Sequence, residues 1–274
     1  MKLERDGATI DYDFRGEGDF RGEGDFRGEG DFRGKGPLVV DLHGLSASRE
    51  LTRRMDLDLT AGLTGRRVLA YDARGHGRST GSPDPMSYSW PRLADDLLAL
   101  LDAVGADEPV DAIGASMGTA TILHAAVARP DRFRRLVLTI PPTAWETRVA
   151  QGAAYRQAAQ LVRERGVAAF ITATSAVLPP PPVVADLEPV TEPAIGEDLL
   201  PFVLEGAALS DLPDPSAVAG IAAPTLLLPW AGDPGHPLST AERLAELMPD
   251  TRTVVASVPA DRDVWRRAVV AHLG

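Results

Sequence analysis

A serine flanked by glycines is the residue of this sequence with the clearest potential for chemistry. Ser116 stands in the run G-A-S-M-G at 114–118, after a short predicted buried strand at 110–113 and before a predicted helix. A strand that turns directly into a helix crowds the backbone, and glycine on both sides of the turn avoids clashes. The turn would strain Ser116, expose its hydroxyl and set it beside the N–H of Met117 at the positive end of the helix. This pattern predicts a nucleophilic serine, and a chance turn of small residues is the alternative that it leaves open.

A serine hydroxyl is a poor nucleophile unless a base takes its proton, so the histidines come next. The chain contains five of them: His43, His76, His124, His236 and His272. We interpret the first two as structural residues of turns, and the third as a residue packed on the helix that follows Ser116. The last lies on the C-terminal helix, which we expect to be far from the serine. His236 is therefore the candidate general base, and the alternative is that it only lines its loop.

An aspartate is expected to orient the imidazole of such a base. Asp233 lies three residues before His236, and Asp261 lies in the loop before the last predicted helix. With Ser116 as nucleophile and His236 as base, either aspartate could complete a catalytic triad. For Asp233, an ordinary turn role before Pro234 is the alternative.

Strands alternate with helices through most of the chain. Apolar and β-branched runs predict strands at 37–42, 67–71, 110–113, 135–140, 224–229 and 252–258, and helices at 48–62, 89–104, 239–248 and 264–273. A capping box at 239–242 is predicted to open the third of these helices. The alternation predicts an α/β fold with a mostly parallel central sheet and helices on both faces.

The alternation stops near residue 141, which predicts an inserted unit. Two helices at 145–176, four prolines at 179–182 and a helical run at 197–208 indicate a small helical cap inserted after the sixth strand. The predicted division of the chain is an N-terminal segment at 1–36, a core at 37–141 and 216–274, and a cap at 142–215.

The N-terminal segment combines a predicted hairpin with a short repeat. Two alternating runs around Asp6-Gly7 predict a β-hairpin at 3–14. DFRGEG then occurs three times from 13 to 30, and DFRGKG follows at 31–36. The period is far below the roughly 20–50 residues of solenoid repeats. We interpret it as a duplication that lengthened a surface loop at little entropic cost, with partner binding as the alternative.

Four segments taken together resemble the α/β-hydrolase family. They are His43-Gly44 after a predicted strand, D-x-R-G-H-G-R-S at 72–79, G-A-S-M-G at 114–118 and G-D-P-G-H-P at 232–237. The resemblance covers residues 37–274. It implies that Asp233 is the triad acid and that the backbone N–H groups of Leu45 and Met117 form an oxyanion hole.

The sequence departs from the family pattern at the catalytic histidine. The family carries that residue in the loop after the last strand, and here the loop at 258–263 has no histidine and has Asp261 roughly where one is expected. One expected function is therefore hydrolysis of a carboxylic ester, lactone or thioester of a small apolar molecule through Ser116 and an acyl-enzyme. The other is ligand binding by a non-catalytic relative that has lost its base. A serine at this turn argues against epoxide hydrolase and dehalogenase chemistry, for which the family uses aspartate.

The composition limits which binding partners and which cellular location we expect for the protein. The formal charge of −11 at pH 7 argues against nucleic-acid binding, because phosphate contacts need a basic surface. No apolar run reaches the ~18 residues of a membrane span and no leader pattern follows Met1, so we expect a cytoplasmic protein without membrane contact. The absence of cysteine excludes disulfides and thiolate metal sites. No metal or organic cofactor is implied, and the expected partner is a small-molecule substrate.

Overall fold

The computed structural model describes residues 1–15, 36–177, 180–188 and 192–274. Most of the hexapeptide repeat, at 16–35, lies outside the described residues. The strands within them are β1 (Lys2–Arg5), β2 (Ala8–Arg15), β3 (Leu38–Leu42), β4 (Arg67–Tyr71), β5 (Val110–Ala115), β6 (Phe133–Thr139), β7 (Thr225–Leu228) and β8 (Thr251–Thr253). They form one sheet in the order β1-β2-β4-β3-β5-β6-β7-β8. The β1–β2 and β2–β4 pairs are antiparallel and the other neighbouring pairs are parallel, which confirms the predicted fold class.

The predicted N-terminal hairpin is present. Asp6 and Gly7 have φ angles of 44° and 74°, the left-handed values that a tight two-residue turn between twisted strands requires. The second strand of the hairpin then joins the sheet beside β4, with Tyr12 opposite Tyr71. The hairpin therefore forms an antiparallel edge on an otherwise parallel sheet.

Helices follow the parallel strands and cover both faces of the sheet. They are α1 (Arg49–Arg54), α2 (Trp90–Ala103), α3 (Met117–Ala128), α4 (Arg148–Val177), α5 (Leu200–Ala208), α6 (Pro215–Val218), α7 (Leu238–Leu247) and α8 (Asp261–Leu273). Side chains of β3 alternate between two cores. Val40 belongs to the core that holds Leu97 of α2, and Val39 belongs to the core that holds Val269 of α8. In the described part of the chain, no helix is long and apolar enough to cross a membrane.

Three element predictions were wrong in their bounds. The helix predicted at 48–62 ends at Arg54, because Asp56 adopts a left-handed φ of 54° and the Asp58 carboxylate accepts the N–H of Thr60. The capping box at 239–242 lies inside α7, since the carbonyl of Pro237 already accepts the first helical bond from Thr240. The last strand is much shorter than 252–258, and beyond β8 a single bridge joins Trp230 to Ala256.

Helical structure fills the chain between β6 and β7, where the cap was predicted. α4 is interrupted at Gly166, whose φ of 79° and ψ of 171° divide it into two helical pieces. Buried residues of α4 and α5 pack together with Tyr88 and Ile195 in a separate apolar cluster, here named the cap cluster: Tyr88, Ala159, Val162, Ile195, Leu200, Val203 and Leu204. Its own apolar interior is what distinguishes this region from the sheet cores. The domain boundaries at 142 and 215 stay a prediction.

Candidate active site

Ser116 occupies the turn between β5 and α3. Its φ of 52° and ψ of −107° are a strained conformation for a residue with a side chain, which typically costs about 1–3 kcal/mol. Both flanking glycines are required by close backbone approach. A Cβ on Gly114 would lie 2.6 Å from the carbonyl carbon of Gly118, and a Cβ on Gly118 would lie 2.5 Å from the carbonyl oxygen of Leu42. The N–H of Ser116 bonds to the carbonyl of Thr139 at 3.0 Å, which ties the turn to the end of β6.

The structure brings His236 to this serine. The Nε2 atom of His236 lies 2.8 Å from Oγ of Ser116, and its Nδ1 atom lies 2.7 Å from Oδ2 of Asp233. A carboxylate can only accept, so Nδ1 carries the proton and Nε2 is left to accept the serine O–H. The side chains of His236 and Asp233 are 21% and 14% exposed. His236 thus lies within direct hydrogen-bond distance of both Ser116 and Asp233, which is the geometry expected of a catalytic triad.

Asp233 and His236 lie on one four-residue turn after β7, here named the acid–base turn (233–236). The N–H of His236 donates to the carbonyl of Asp233 at 3.1 Å, and the N–H of Gly235 donates to Oδ1 of Asp233 at 2.8 Å. The Gly235 carbonyl accepts the N–H of Thr143 at 3.1 Å, which fastens this turn to the segment after β6. The turn therefore fixes the two side chains relative to each other without a contribution from Ser116.

The surroundings of Asp233 favour its charged form. Burial alone would raise the pKa of this carboxyl, but the hydrogen bonds that it accepts, that from His236 foremost, outweigh burial and hold the pKa below its ordinary value. Its Oδ2 atom also accepts the indole N–H of Trp230 at 2.9 Å. Asp233 is therefore an ionised acceptor at neutral pH.

Asp261, the alternative orienting acid, has other partners. Its Oδ2 atom accepts the backbone N–H groups of Ser257 at 2.7 Å and Val258 at 3.1 Å. These two hydrogen bonds, that from Ser257 first, hold the pKa of Asp261 below its ordinary value. The side chain therefore closes the turn before α8, while the imidazole of His236 is paired with Asp233.

The predicted oxyanion residues flank Ser116. Met117 is the buried first residue of α3. A Cβ on Gly44 would lie 3.5 Å from Cβ of Ser116, so the loop that carries Leu45 passes directly beside the serine. That loop is fastened by the Ser46 carbonyl, which accepts the N–H of Ala194 from the cap region at 2.8 Å. The oxyanion role of the N–H groups of Leu45 and Met117 stays a prediction.

His43 and His76 are buried parts of the loop scaffold. His43 accepts the N–H of Ala73 at Nε2 and donates from Nδ1 to the carbonyl of Gly44. The two rings lie 5.1 Å apart between centroids. Burial lowers the pKa of His43 to about 4 and that of His76 to about 3, so both are neutral over the physiological range. These contacts agree with a structural role.

The remaining two histidines also bond to the backbone. His124 on α3 donates to the carbonyl of Asp211 at 2.8 Å, and His272 on α8 donates to the carbonyl of Leu136 at 3.1 Å. Burial lowers the pKa of both imidazoles. Within the described residues, no group of three or more histidine, aspartate or glutamate side chains is arranged to hold a metal ion.

Two residues that position the acid–base turn were missed in the sequence. Trp230 reaches Asp233 through its indole N–H, and a usable signal was present, since a buried tryptophan at a strand end needs an acceptor for that group. Thr143 acts through its backbone N–H. Every residue except proline has this group, so the residue type gave no signal.

The fold and the sequence agree on a family. A family model for the alpha/beta hydrolase fold matches residues 37–165, which include Ser116 and the loops around it. The sheet order and the strained serine turn belong to the same fold. The chain therefore has the alpha/beta hydrolase fold, and residues 37–165 resemble that family in sequence.

Relatives of known name extend this finding. The chain is 40% identical over 102 residues to the sn-1-specific diacylglycerol lipase ABHD11 of Mus musculus, a match that covers 37% of this chain and 32% of the lipase. It is 28% identical over 184 residues to 3-oxoadipate enol-lactonase 2 of Acinetobacter baylyi, which covers 65% of this chain and 66% of the lactonase. The crystal structure of an enol-lactonase from Burkholderia xenovorans matches 100% of this chain and 99% of that chain with a TM-score of 0.77 at 21% identity. The matched segments thus span about a third of the lipase and just under two thirds of the Acinetobacter lactonase.

Proposed function

We propose that the protein is a serine hydrolase that cleaves a carboxylic ester, lactone or thioester of a small, mostly apolar molecule. The observation that carries this proposal is the continuous chain of hydrogen bonds from Ser116 through His236 to Asp233, 2.8 and 2.7 Å long. The serine and the histidine are 120 residues apart, so local backbone structure alone does not bring them together.

The first half of the proposed reaction acylates the serine. His236 takes the proton of Ser116 at Nε2 as Oγ attacks the substrate carbonyl carbon, and the ionised Asp233 stabilises the imidazolium that forms. The same proton then passes from Nε2 to the leaving oxygen or sulfur as its bond to carbon breaks. Both proton transfers require a fixed orientation of the imidazole, which the hydrogen bond from Nδ1 to Asp233 provides.

The N–H groups of Leu45 and Met117 would hold the oxyanion that develops during the attack. Donors of this kind typically lower the barrier by about 3–4 kcal/mol each. Support comes from the position of Met117 at the start of α3, where the helix dipole favours negative charge. Further support is the close approach of the Gly44 backbone to Ser116.

The second half of the reaction releases the acid. Once the leaving alcohol, thiol or ring-opened end has taken the proton, the imidazole is neutral again. His236 can then remove a proton from water. The resulting hydroxide attacks the acyl carbon, and Ser116 leaves with the proton returned by His236. The chemistry uses side chains and backbone N–H groups of this chain and water.

The apolar substrate class rests on the residues around the serine. Leu45 packs against both a sheet core and the cap cluster. Ile140 follows the strand whose last carbonyl holds Ser116, and Ala144 nearby is buried. Relatives are named as a diacylglycerol lipase and as an enol-lactonase, which supports the ester or lactone part of the proposal. An apolar acyl or lactone substrate fits these surroundings better than a charged one.

A non-catalytic ligand-binding protein is the competing function. It rested on the missing histidine at 258–263, and the bond between His236 and Ser116 counts against it. The two functions differ in one measurable property, because only an activated serine reacts rapidly with an electrophilic phosphonate.

Covalent labelling tests the proposal without a substrate guess. The protein is treated with a fluorophosphonate, and intact mass is followed over time, with Ser116→Ala as the matched blank. We expect one rapid adduct per chain in the wild type and none in the variant. A folded wild-type protein that remains unlabelled would contradict the proposal and favour ligand binding. After labelling is established, a panel of acyl esters, lactones and thioesters of increasing chain length identifies the preferred bond and acyl size.

A further inference from the structure

Trp230 and the proposed base, His236, both donate a hydrogen bond to the same oxygen of Asp233. Its indole N–H donates to Oδ2 of Asp233 at 2.9 Å, and the same oxygen accepts Nδ1–H of His236 at 2.7 Å. The other oxygen, Oδ1, accepts the N–H of Gly235. Both oxygens of the carboxylate therefore have fixed donors, and the carboxylate plane cannot rotate without breaking one of them.

The indole itself is held on several sides. Trp230 is 7% exposed and forms a bridge with Ala256. Its ring stacks on Trp265 with centroids 6.4 Å apart and an interplanar angle of 17°. The Trp265 indole donates to the carbonyl of Val254 at 2.9 Å, which anchors the stack to the segment after β8. The ring of His236 meets Trp230 edge-on, at 6.1 Å and 82°.

This packing gives Trp230 a second effect. Its ring touches Asp233 on one side and Trp265 on the other, so it lies between the carboxylate and the start of α8. The indole therefore links the carboxylate of Asp233 to a residue in the first turns of α8.

We propose that Trp230 is a positioning residue that fixes the Asp233 carboxylate for His236 and moderates how strongly that carboxylate holds the imidazolium. This inference rests on the proposed function. Two donors that share one oxygen compete for its charge, so removing the indole N–H leaves more charge to the imidazolium. The protonated imidazole is then favoured, and the serine loses its base at a higher pH than in the wild type.

The test compares Trp230→Phe with Trp265→Phe. Each substitution replaces an indole by a smaller ring in the same stack, but only the first removes a donor to Asp233. The rate constant of fluorophosphonate labelling is measured from pH 5 to 9. We expect the midpoint of the acid limb in Trp230→Phe to rise by roughly 0.5–1 pH unit, since about half the strength of one hydrogen bond to a carboxylate would pass to the imidazolium. We also expect its plateau rate to fall about tenfold, because the carboxylate is less well oriented. Trp265→Phe should keep the wild-type midpoint.

An activity-independent readout separates this proposal from the proposed function. The imidazole proton resonances of His236 are titrated by NMR in the wild type and both variants. If the wild type remains unlabelled but the Trp230→Phe titration midpoint rises, the hydrolase proposal fails and the positioning inference stands. If labelling is normal and the midpoints of Trp230→Phe and Trp265→Phe both equal that of the wild type, the positioning inference is wrong.

A measurement on the wild type covers the case in which Trp230→Phe does not fold. The ¹H–¹⁵N signal of the Trp230 indole is followed through the same titration, beside that of Trp265. We expect the Trp230 signal to shift with the imidazole midpoint, because both groups bond to one oxygen, and the Trp265 signal to stay constant. A Trp230 signal that does not respond would overturn the inference.

Discussion

Replacing His236 by alanine removes the nitrogen that lies 2.8 Å from the hydroxyl of Ser116. General-base catalysis contributes about 10²–10⁴-fold, and a base that acts as a unit with its nucleophile lies at the upper end of that range. The serine turn at 114–118, the loop that carries Leu45 and the backbone of Asp233 are held by hydrogen bonds that do not involve this ring. We therefore expect the rate constant of fluorophosphonate labelling to fall by about 10³–10⁴-fold.

The same change should leave the fold almost untouched. The His236 side chain is 21% exposed, and Asp233 retains the N–H groups of Gly235 and Trp230 as donors. The free energy of unfolding, measured by urea titration, should stay within about 1 kcal/mol of the wild type. His272→Ala is the matched control, because this imidazole is half-buried and bonds to a backbone carbonyl away from the serine turn. It should label at the wild-type rate.

Labelling of His236→Ala within threefold of the wild type would refute the assignment of the base. A second arm asks whether the family position could serve instead, by adding Asp261→His to the His236→Ala variant. We expect no recovery, because residue 261 faces the N–H groups of Ser257 and Val258. Recovery would show that this loop can still deliver an imidazole to the serine.

Two further predictions concern stability. Gly118→Ala should destabilise the fold by about 2–3 kcal/mol in urea unfolding, because the new Cβ would lie 2.5 Å from the Leu42 carbonyl oxygen. Gly62→Ala is the control and should be close to neutral, because the nearest atom to its Cβ would lie 3.4 Å away. His43 and His76 are held neutral with pKa values of about 4 and about 3, so the unfolded chain binds protons below about pH 6.5 that the native state does not. These two histidines should leave stability flat above about pH 7 and lower it by roughly 3 kcal/mol each by pH 4. Burial raises the pKa of Asp41 to about 7, so its protonation over the same range offsets roughly the loss from one histidine. A net fall should remain, and an unchanged urea midpoint from pH 7 to 4 would contradict this.

The elements that could be predicted are those whose cause is local. The two glycines around Ser116 follow from backbone crowding, and the structure shows the contacts that require them. The hairpin turn at Asp6-Gly7 and the parallel strands follow from turn chemistry and apolar runs in the same way. The short α1 was mispredicted, because the left-handed Asp56 interrupts a pattern that remains helical in composition.

What could not be predicted depends on contacts between distant segments. Elimination singled out His236, but nothing in the sequence fixes the direction of its imidazole, which depends on how the turn after β7 is held. The N–H of Thr143 supplies part of that anchor, and this contact has no periodicity or motif because it joins a backbone N–H to a turn from another segment. The buried Trp230 indole supplies another part, and it differs because it lies only three residues from Asp233 and its need for an acceptor was readable.

The position of the histidine makes physical sense once the acid–base turn is considered as a unit. Asp233 and His236 are joined by a backbone hydrogen bond and a side-chain hydrogen bond within four residues, so their relative geometry is set locally. Only one long-range relation, between this turn and Ser116, then has to be maintained. A histidine on the loop after β8 would add a third independent segment whose position must be held. With the base on the turn, that loop needs no imidazole, and Asp261 there caps the backbone before α8.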